Sequence, residues 1–379
     1  MRVFRVAYLA VVASLLSGPA IAESPLLSKR VSAGALPPVT ERLPETPMVT
    51  DLAAMGREMG QPGGDISLLM ARSKDTRMLT VYGYARLVGF TPELTLQPDL
   101  ALKIDNEGDQ TFTLHLRPGH RWSDGQPFTT EDFRYFWEDI ALNEFLSPFG
   151  PPEALLVNNK PPRVEVIDRH TIRYHWPAPN PLFLPSLAGA RPLYIYAPGH
   201  YLKQFHAAYV EEEALKAMVE EAGVRNWAGL HTRYGHQYKF DNPDLPTLQP
   251  WLCVTPAPSE RFIFERNPYF HRVDTKGQQL PYLDRVIVNI ASSGLIPAKT
   301  GAGESDLQGR YLRLDNYPFL MEGGERNNFV VRLWQMGVGS QMAIYPNLNA
   351  NDDTWRSSCV MCVSGEPFRW ELTVTKSTR

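Results

Sequence analysis

Cysteine is scarce in this sequence. There are three in 379 residues, too few for a disulfide framework. Cys253 stands alone in the body of the chain, and Cys359 and Cys362 form a C-x-x-C without the second pair that a zinc site needs. Long apolar runs are missing as well. After residue 22 nothing is long enough to span a bilayer, and the run Val6–Leu16 is too short to do so. Charge of one sign is absent: the formal net charge is −3, so no broad basic face is available for nucleic acid. Catalytic signatures are absent too. There is no H-E-x-x-H, G-x-S-x-G, phosphate-binding loop or dinucleotide fingerprint. The nine histidines are scattered, and His115, His170 and His175 fall in or beside strand-like segments, where a hydrogen-bonded structural role is expected.

What is present begins with an export signal. Arg2 and Arg5 precede the apolar run, and Ala20-Ile21-Ala22 offers small residues at the positions a signal peptidase reads. Cleavage is expected after Ala22, which makes the mature chain exported and soluble. With 33 prolines and 27 glycines, the composition is that of a loop-rich mixed α/β protein. Residues 23–62 read as a polar lead-in, with a short helix expected near Met48–Met59.

From Gly63 the patterns tighten. Phe112, Leu114 and Leu116 alternate with polar residues and predict a half-buried strand. Ser123-Asp124-Gly125 predicts a tight turn. Thr129, with Asp132 three residues on, predicts a capped helix over 129–145. Its apolar face is Phe133, Phe136, Trp137 and Ile140. Ile172, Tyr174 and Trp176 alternate again, as do residues 261–266 and 285–290. Residues 211–223 predict a helix stopped by Gly223. Glu131 and Asp132 are adjacent on a helix and point apart, so they do not form a catalytic carboxylate pair.

Several pieces together resemble one family. Leu94–Ala101, then the stretch Thr111–Glu138 with Gly119, Trp122, Asp124-Gly125, Pro127-Phe128-Thr129 and Glu131-Asp132, is similar to the signature of the family 5 extracellular solute-binding proteins. These are the peptide-binding components of ABC importers. "ERNPYF" (265–270), "LPYLDRV" (280–286) and "GESDLQG" (303–309) follow in the family's order.

The resemblance implies an α/β, periplasmic binding protein-like fold of type II, with two lobes that close on a ligand. The first lobe would cover 63–295, with an inserted subdomain at about 80–180, and 296–356 would begin the second lobe. In the family the segment after the first strand lines the ligand cleft. Here this is "MARSKDTRM" (70–78), so Arg72, Ser73 and Lys74 are the candidate ligand contacts. The implied role is capture of oligopeptides or similar solutes in the periplasm for permease subunits of an ABC importer. No cofactor, metal, catalysis, nucleic-acid partner or membrane insertion is expected. The alternatives are an exported hydrolase, whose paired acid and base are not found, and a structural envelope protein.

The last segment departs from the family after Arg356. One permitted coding of residues 356–379, with a single A restored after the first codon, reads RKLLRDVRFRRALSLGINRHEIN over its first 23 codons. This resembles the Arg-rich helix the family places there. Residues 357–379 are therefore expected to be an out-of-frame tail on an incomplete second lobe, and Cys359 and Cys362 to carry no selected chemistry.

Overall fold

The alternating segments form strands. A computed structural model describes residues 23–334, 347–349 and 351–357. Residues 1–22, expected as the export signal, most of the expected tail, Cys359 and Cys362 lie outside these residues. In chain order the strands are β1 (Met48–Thr50), β2 (Asp65–Met70), β3 (Val88–Phe90), β4 (Leu96–Pro98), β5 (Ala101–Glu107) and β6 (Thr111–Leu116). They continue as β7 (Arg163–Asp168), β8 (Thr171–His175), β9 (Trp251–Cys253), β10 (Arg261–Arg266), β11 (Arg272–Asp274) and β12 (Arg285–Ile290). The chain divides into two units, Met1–Val330 and Val331–Arg379. All elements below belong to the first.

Two four-stranded sheets carry the architecture. One is mixed, in the order β2-β12-β10-β9. Within it β2 and β12 run parallel from Asp65↔Arg285 to Met70↔Ile290, and β10 is antiparallel to both β12 and β9. The other, β5-β6-β8-β7, is antiparallel throughout. Parallel strands cannot be joined by a tight turn and need a long crossover. Here the whole antiparallel sheet lies within the connection from β2 to β12. Two short pairs, β1 with β11 and β3 with β4, complete the strands.

Cross-strand partners explain the registers. Phe112 faces Tyr174 and Leu114 faces Ile172 across β6 and β8, and all four are buried. Trp176 meets Phe112 edge-on at 5.9 Å, and Phe183 packs on both. In the mixed sheet Phe262 faces Val288 and Phe264 faces Val286, and Leu68 of β2 joins Val288 on its other side. Buried aliphatic and aromatic pairs of this kind are what hold a strand in register.

The turn and the helix start follow the sequence closely. Gly125 has φ +90°, and its N–H reaches the Trp122 carbonyl at 2.9 Å. Trp122 is fully buried against Phe128. The Asp132 carboxylate accepts the Thr129 N–H at 2.9 Å, completing the capping box of helix Thr130–Arg134. The helix then widens into a π-helical stretch, Tyr135–Ala141, which buries three successive aromatic residues. It ends at Ala141 rather than at residue 145, because the Asn143 side chain takes the Phe145 N–H and turns the chain. Helix Glu212–Ala222 stops at Gly223 with φ +63°.

The lead-in differs from expectation. Residues near Met48 form a strand, not a helix. Met48, Val49 and Thr50 pair with Arg272, Val273 and Asp274 of β11, and the β-branched Val49 and Thr50 suit this extended backbone. Helices Pro25–Ser32 and Val39–Arg42 precede it. Arg42 is fully buried, forked onto the Glu23 carboxylate and bonded to the Pro268 carbonyl at 2.6 Å.

Candidate functional site

β2 and β12 end together, and the Ala291 N–H extends their ladder to the Met70 carbonyl at 2.9 Å. In open α/β sheets ligands gather at the carboxyl ends of parallel strands, where backbone groups and loop side chains converge. Ala71 and Arg72 leave β2, and Ser73–Arg77 form a 3₁₀ turn. The structure brings the three candidate contacts together at this end. Arg72 and Lys74 are exposed and Ser73 is half-buried.

Asp75, the next residue, is fully buried and fixes the turn. Its Oδ2 accepts the Arg72 N–H at 3.2 Å, closing the turn from inside. Two more donors come from far along the chain. Arg310 Nη2 donates to Oδ1 at 3.0 Å and the Tyr311 hydroxyl to Oδ2 at 2.5 Å. Burial works to lower the proton affinity of Arg310, but Asp75 and Tyr311 overcome it and leave the guanidinium raised. The Tyr311 phenol is raised, first by burial and then by Asp75. Tyr82 is 42% exposed and close enough to feel the charges of Arg310 and Asp75, and burial of its ring raises its phenol too.

The segment that delivers Arg310 and Tyr311 lies along the outer edge of β2. The Asp306 carboxylate accepts the Ser67 N–H at 2.6 Å, and the Asp306 N–H bonds the Ser67 carbonyl at 2.9 Å. Gln308 acts as a side-chain peptide group. Its Oε1 accepts the Leu69 N–H at 3.0 Å and its Nε2 donates to the Leu69 carbonyl at 2.9 Å. The unpaired edge of β2 is thereby satisfied. Sequence reading placed residues 303–309 in a family element but gave no role to Gln308, Arg310, Tyr311 or Asp75. Their partnership spans 235 residues of chain and leaves no local signal.

Buried charge elsewhere has a structural role. Asp99 accepts from four donors: His271 Nε2 at 2.7 Å, the Arg86 N–H at 2.9 Å, and Arg272 Nε and Nη2 at 3.0 and 2.5 Å. Burial alone would raise its pKa, but Arg272 and His271 hold it far below the usual carboxylate range. The His120 ring packs tilted against His271, centroids 5.0 Å apart, and burial depresses the proton affinity of both rings. Asp132 is pushed up to about 7 by burial, against the Thr129 N–H. Cys253 is free and buried, and burial pushes its thiol up to about 11, which suits an inert packing residue. His115 bonds Asp105, and His175 bonds Thr111. Among the described residues no cluster of His, Cys, Asp or Glu is placed to hold a metal, and no helix is long and apolar enough to cross a membrane.

Two open concavities of about 370 and 400 Å³ lie on the antiparallel sheet and the helix start beside it, lined by residues such as Arg163, Glu165 and Arg173, and Glu131, Arg134 and Arg169. Neither includes Arg72, Ser73 or Lys74. Arg173 lies 3.7 Å from Glu165 in the first, and Arg134 is forked onto Glu131 in the second.

Comparison with known proteins decides the family. The model for the middle region of the bacterial extracellular solute-binding proteins, family 5, matches residues 95–323. The chain belongs to this family. A periplasmic alpha-galactoside-binding protein of Rhizobium meliloti (strain 1021) is 27% identical over 311 residues, covering 74% of this chain and 40% of that protein. The periplasmic oligopeptide-binding protein OppA of Salmonella typhimurium is 26% identical over 199 residues, covering 49% of this chain and 31% of OppA. Among solved structures, an oligopeptide-binding protein OppA superposes with a TM-score of 0.73 at 33% identity, covering 81% of this chain and 48% of that one. The periplasmic binding protein MelB from Agrobacterium fabrum C58, solved with stachyose, gives a TM-score of 0.62 at 25% identity, over 81% of this chain and 46% of MelB. The fold is that of the type II periplasmic binding proteins, as the family resemblance implies. The chain spans less than half the length of these relatives.

Proposed function

We propose that this family 5 chain is a truncated copy of the solute-capturing part of an ABC importer, which works in the periplasm without catalysis, and that the 379-residue chain itself binds its solute poorly. In this reading Arg72, Ser73 and Lys74 touch the ligand. The observation that carries it is their placement together at the carboxyl ends of β2 and β12, on a turn fixed from below by Asp75. The ligand is a short peptide. Main-chain hydrogen bonds would take its backbone, and the cations Arg72 and Lys74 suit its carboxylate. The first lobe is 63–295 with 80–180 inserted, 296–356 begins the second, and residues from Ser357 onward are read out of frame.

A second reading is an α-galactoside ligand. It is favoured by the alpha-galactoside-binding relative, which matches 74% of this chain, and by the stachyose complex of MelB.

Calorimetry with tripeptides and with stachyose tests both, on the 379-residue chain and on the chain with one nucleotide restored after codon 356. Binding of tripeptides by the restored chain is expected, weakened about tenfold by Arg72→Ala. Binding of stachyose alone selects the second reading. Loss of both ligands from both chains removes the capture role. Micromolar affinity in the 379-residue chain refutes its poor binding, the nucleotide sequence after codon 356 decides the reading frame, and turnover of any ligand restores the hydrolase.

A further inference from the structure

We propose that Asp75 is a positioning residue that locks the ligand turn 72–74 to the segment 306–311, so that the two move as one unit. The inference rests on the capture role for that turn but is tested without a ligand.

Three observations carry it. The first is burial. Asp75 has no exposed surface, yet it follows an exposed Lys74 on a surface turn. A carboxylate withdrawn from water needs its lone pairs filled by good donors. Asp75 has three, and two of them, Arg310 and Tyr311, come from a segment 235 and 236 residues away. The second is the backbone of Tyr311, which sits at φ +65°. A bulky residue adopts this left-handed conformation only when its surroundings impose it. Here it turns the ring so that the hydroxyl reaches Asp75, with Arg310 over its face at 5.1 Å. The third is the row of bonds leading to this point. Asp306 and Gln308 pair with Ser67 and Leu69 along β2. The segment is therefore held along the strand and anchored at its end.

The result is a closed loop of bonds. β2 carries the turn, the turn carries Asp75, and Asp75 holds the segment that lies on β2. A slip of the segment by one residue would break the Gln308 pair and strand the Asp75 carboxylate together. Movement of 306–311 is thus transmitted to Arg72, Ser73 and Lys74 rather than absorbed between them. The contact is distinct from the ligand contacts themselves, because Asp75 is turned inward.

Amide hydrogen exchange on the full chain, read by residue, tests the lock. Two variants are compared with the unaltered protein: Asp75→Asn, which removes the charge, and Tyr311→Phe, which removes one hydroxyl and keeps the ring. Exchange of the amides of 72–77 and 306–311 is expected to rise about tenfold in both, since each loses a hydrogen bond to a charged group. The amides of β10 and β12 are expected to stay within about twofold, as local opening requires. The double variant should exceed neither single variant by more than about twofold, because both act through one contact. Unchanged exchange at 72–77 overturns the proposal. So does an equal rise across β10 and β12, which would mark Asp75 as a general stability residue. If Asp75→Asn does not fold, Tyr311→Phe decides. Loss of ligand binding with the lock intact would instead remove the capture role and leave this inference standing.

Discussion

Replacing Asp99 should be among the most damaging single changes in the chain. The carboxylate is 2% exposed and is bonded by Arg86, His271 and Arg272 from two distant regions. Arg117 lies beside it, donating to the Asp99 carbonyl at 3.0 Å and the Thr46 carbonyl at 2.6 Å. Asp99→Ala removes the one anion from a cluster of three arginines. It also leaves the His271 Nε2–H without an acceptor, while the ring's Nδ1 already lacks a hydrogen-bond partner among the described residues. Removing one partner of a buried pair costs about 3–5 kcal/mol, because the other charge stays buried and uncompensated. Against a typical stability of about 5–15 kcal/mol, this is a large fraction. Asp99→Asn keeps the shape and one acceptor and should cost less than Ala. Urea unfolding followed by tryptophan fluorescence measures both, with the slope checked for constancy. Glu131→Gln is the control, since Glu131 and Arg134 form an exposed pair that is worth about 0.5 kcal/mol. An Asp99→Ala loss no larger than that of the control would refute the view that this cluster joins the antiparallel sheet to β11 and the lead-in.

Two further outcomes follow from the same structure. Asp132 has a native pKa of about 7 against 3.8 when unfolded, so between these values the native state holds the proton and the unfolded chain does not. Stability should therefore fall as pH rises from about 4 to about 7, by up to about 4 kcal/mol. Asp132→Asn, which keeps an acceptor for the Thr129 N–H, should flatten that part of the profile in urea titrations at pH 4.5 and 8; a difference from the unaltered protein that is equal at both pH values would refute this. Gly125→Ala places a Cβ at φ +90° and 2.9 Å from the Tyr269 hydroxyl, so a loss above about 1 kcal/mol is expected by thermal unfolding. A neutral result would mean that the turn relaxes.

The fold was legible where the signal is local. Phe112 and Leu114 alternate because β6 is covered on one face, and Thr129 and Asp132 cap because both ends of that hydrogen bond lie within four residues. Met48–Thr50 was misread because a three-residue strand shows no period. Only the partner β11, more than two hundred residues on, makes it a strand. The helix is shorter than the expected 129–145 for a similar reason, since its apolar face ends at Ile140 and the Asn143 side chain turns the backbone before Phe145. Such local competition between side chain and backbone outweighs apolar spacing.

The site was half legible, and the division has a physical cause. Arg72, Ser73 and Lys74 are candidates because the family resemblance puts the segment after the first strand at the cleft, and the structure shows them leaving β2 at its carboxyl end. What fixes them there is Asp75, whose neighbours in sequence are the exposed Lys74 and the buried Thr76, and nothing in "SKDTR" distinguishes a buried carboxylate from a solvated one. The distinction lies in Arg310 and Tyr311, and in Gln308 occupying the edge of β2 as a peptide group would. On the proposed capture role, a turn built this way needs no rigid sequence of its own. Its exposed residues are free to vary with the solute, while the constraint is carried by one inward carboxylate and by residues far along the chain. In such a scaffold, ligand class and turn geometry are separable. Changing Arg72 or Lys74 should therefore alter affinity without altering exchange at 72–77, and changing Tyr311 should alter exchange at 72–77 through a residue outside the turn.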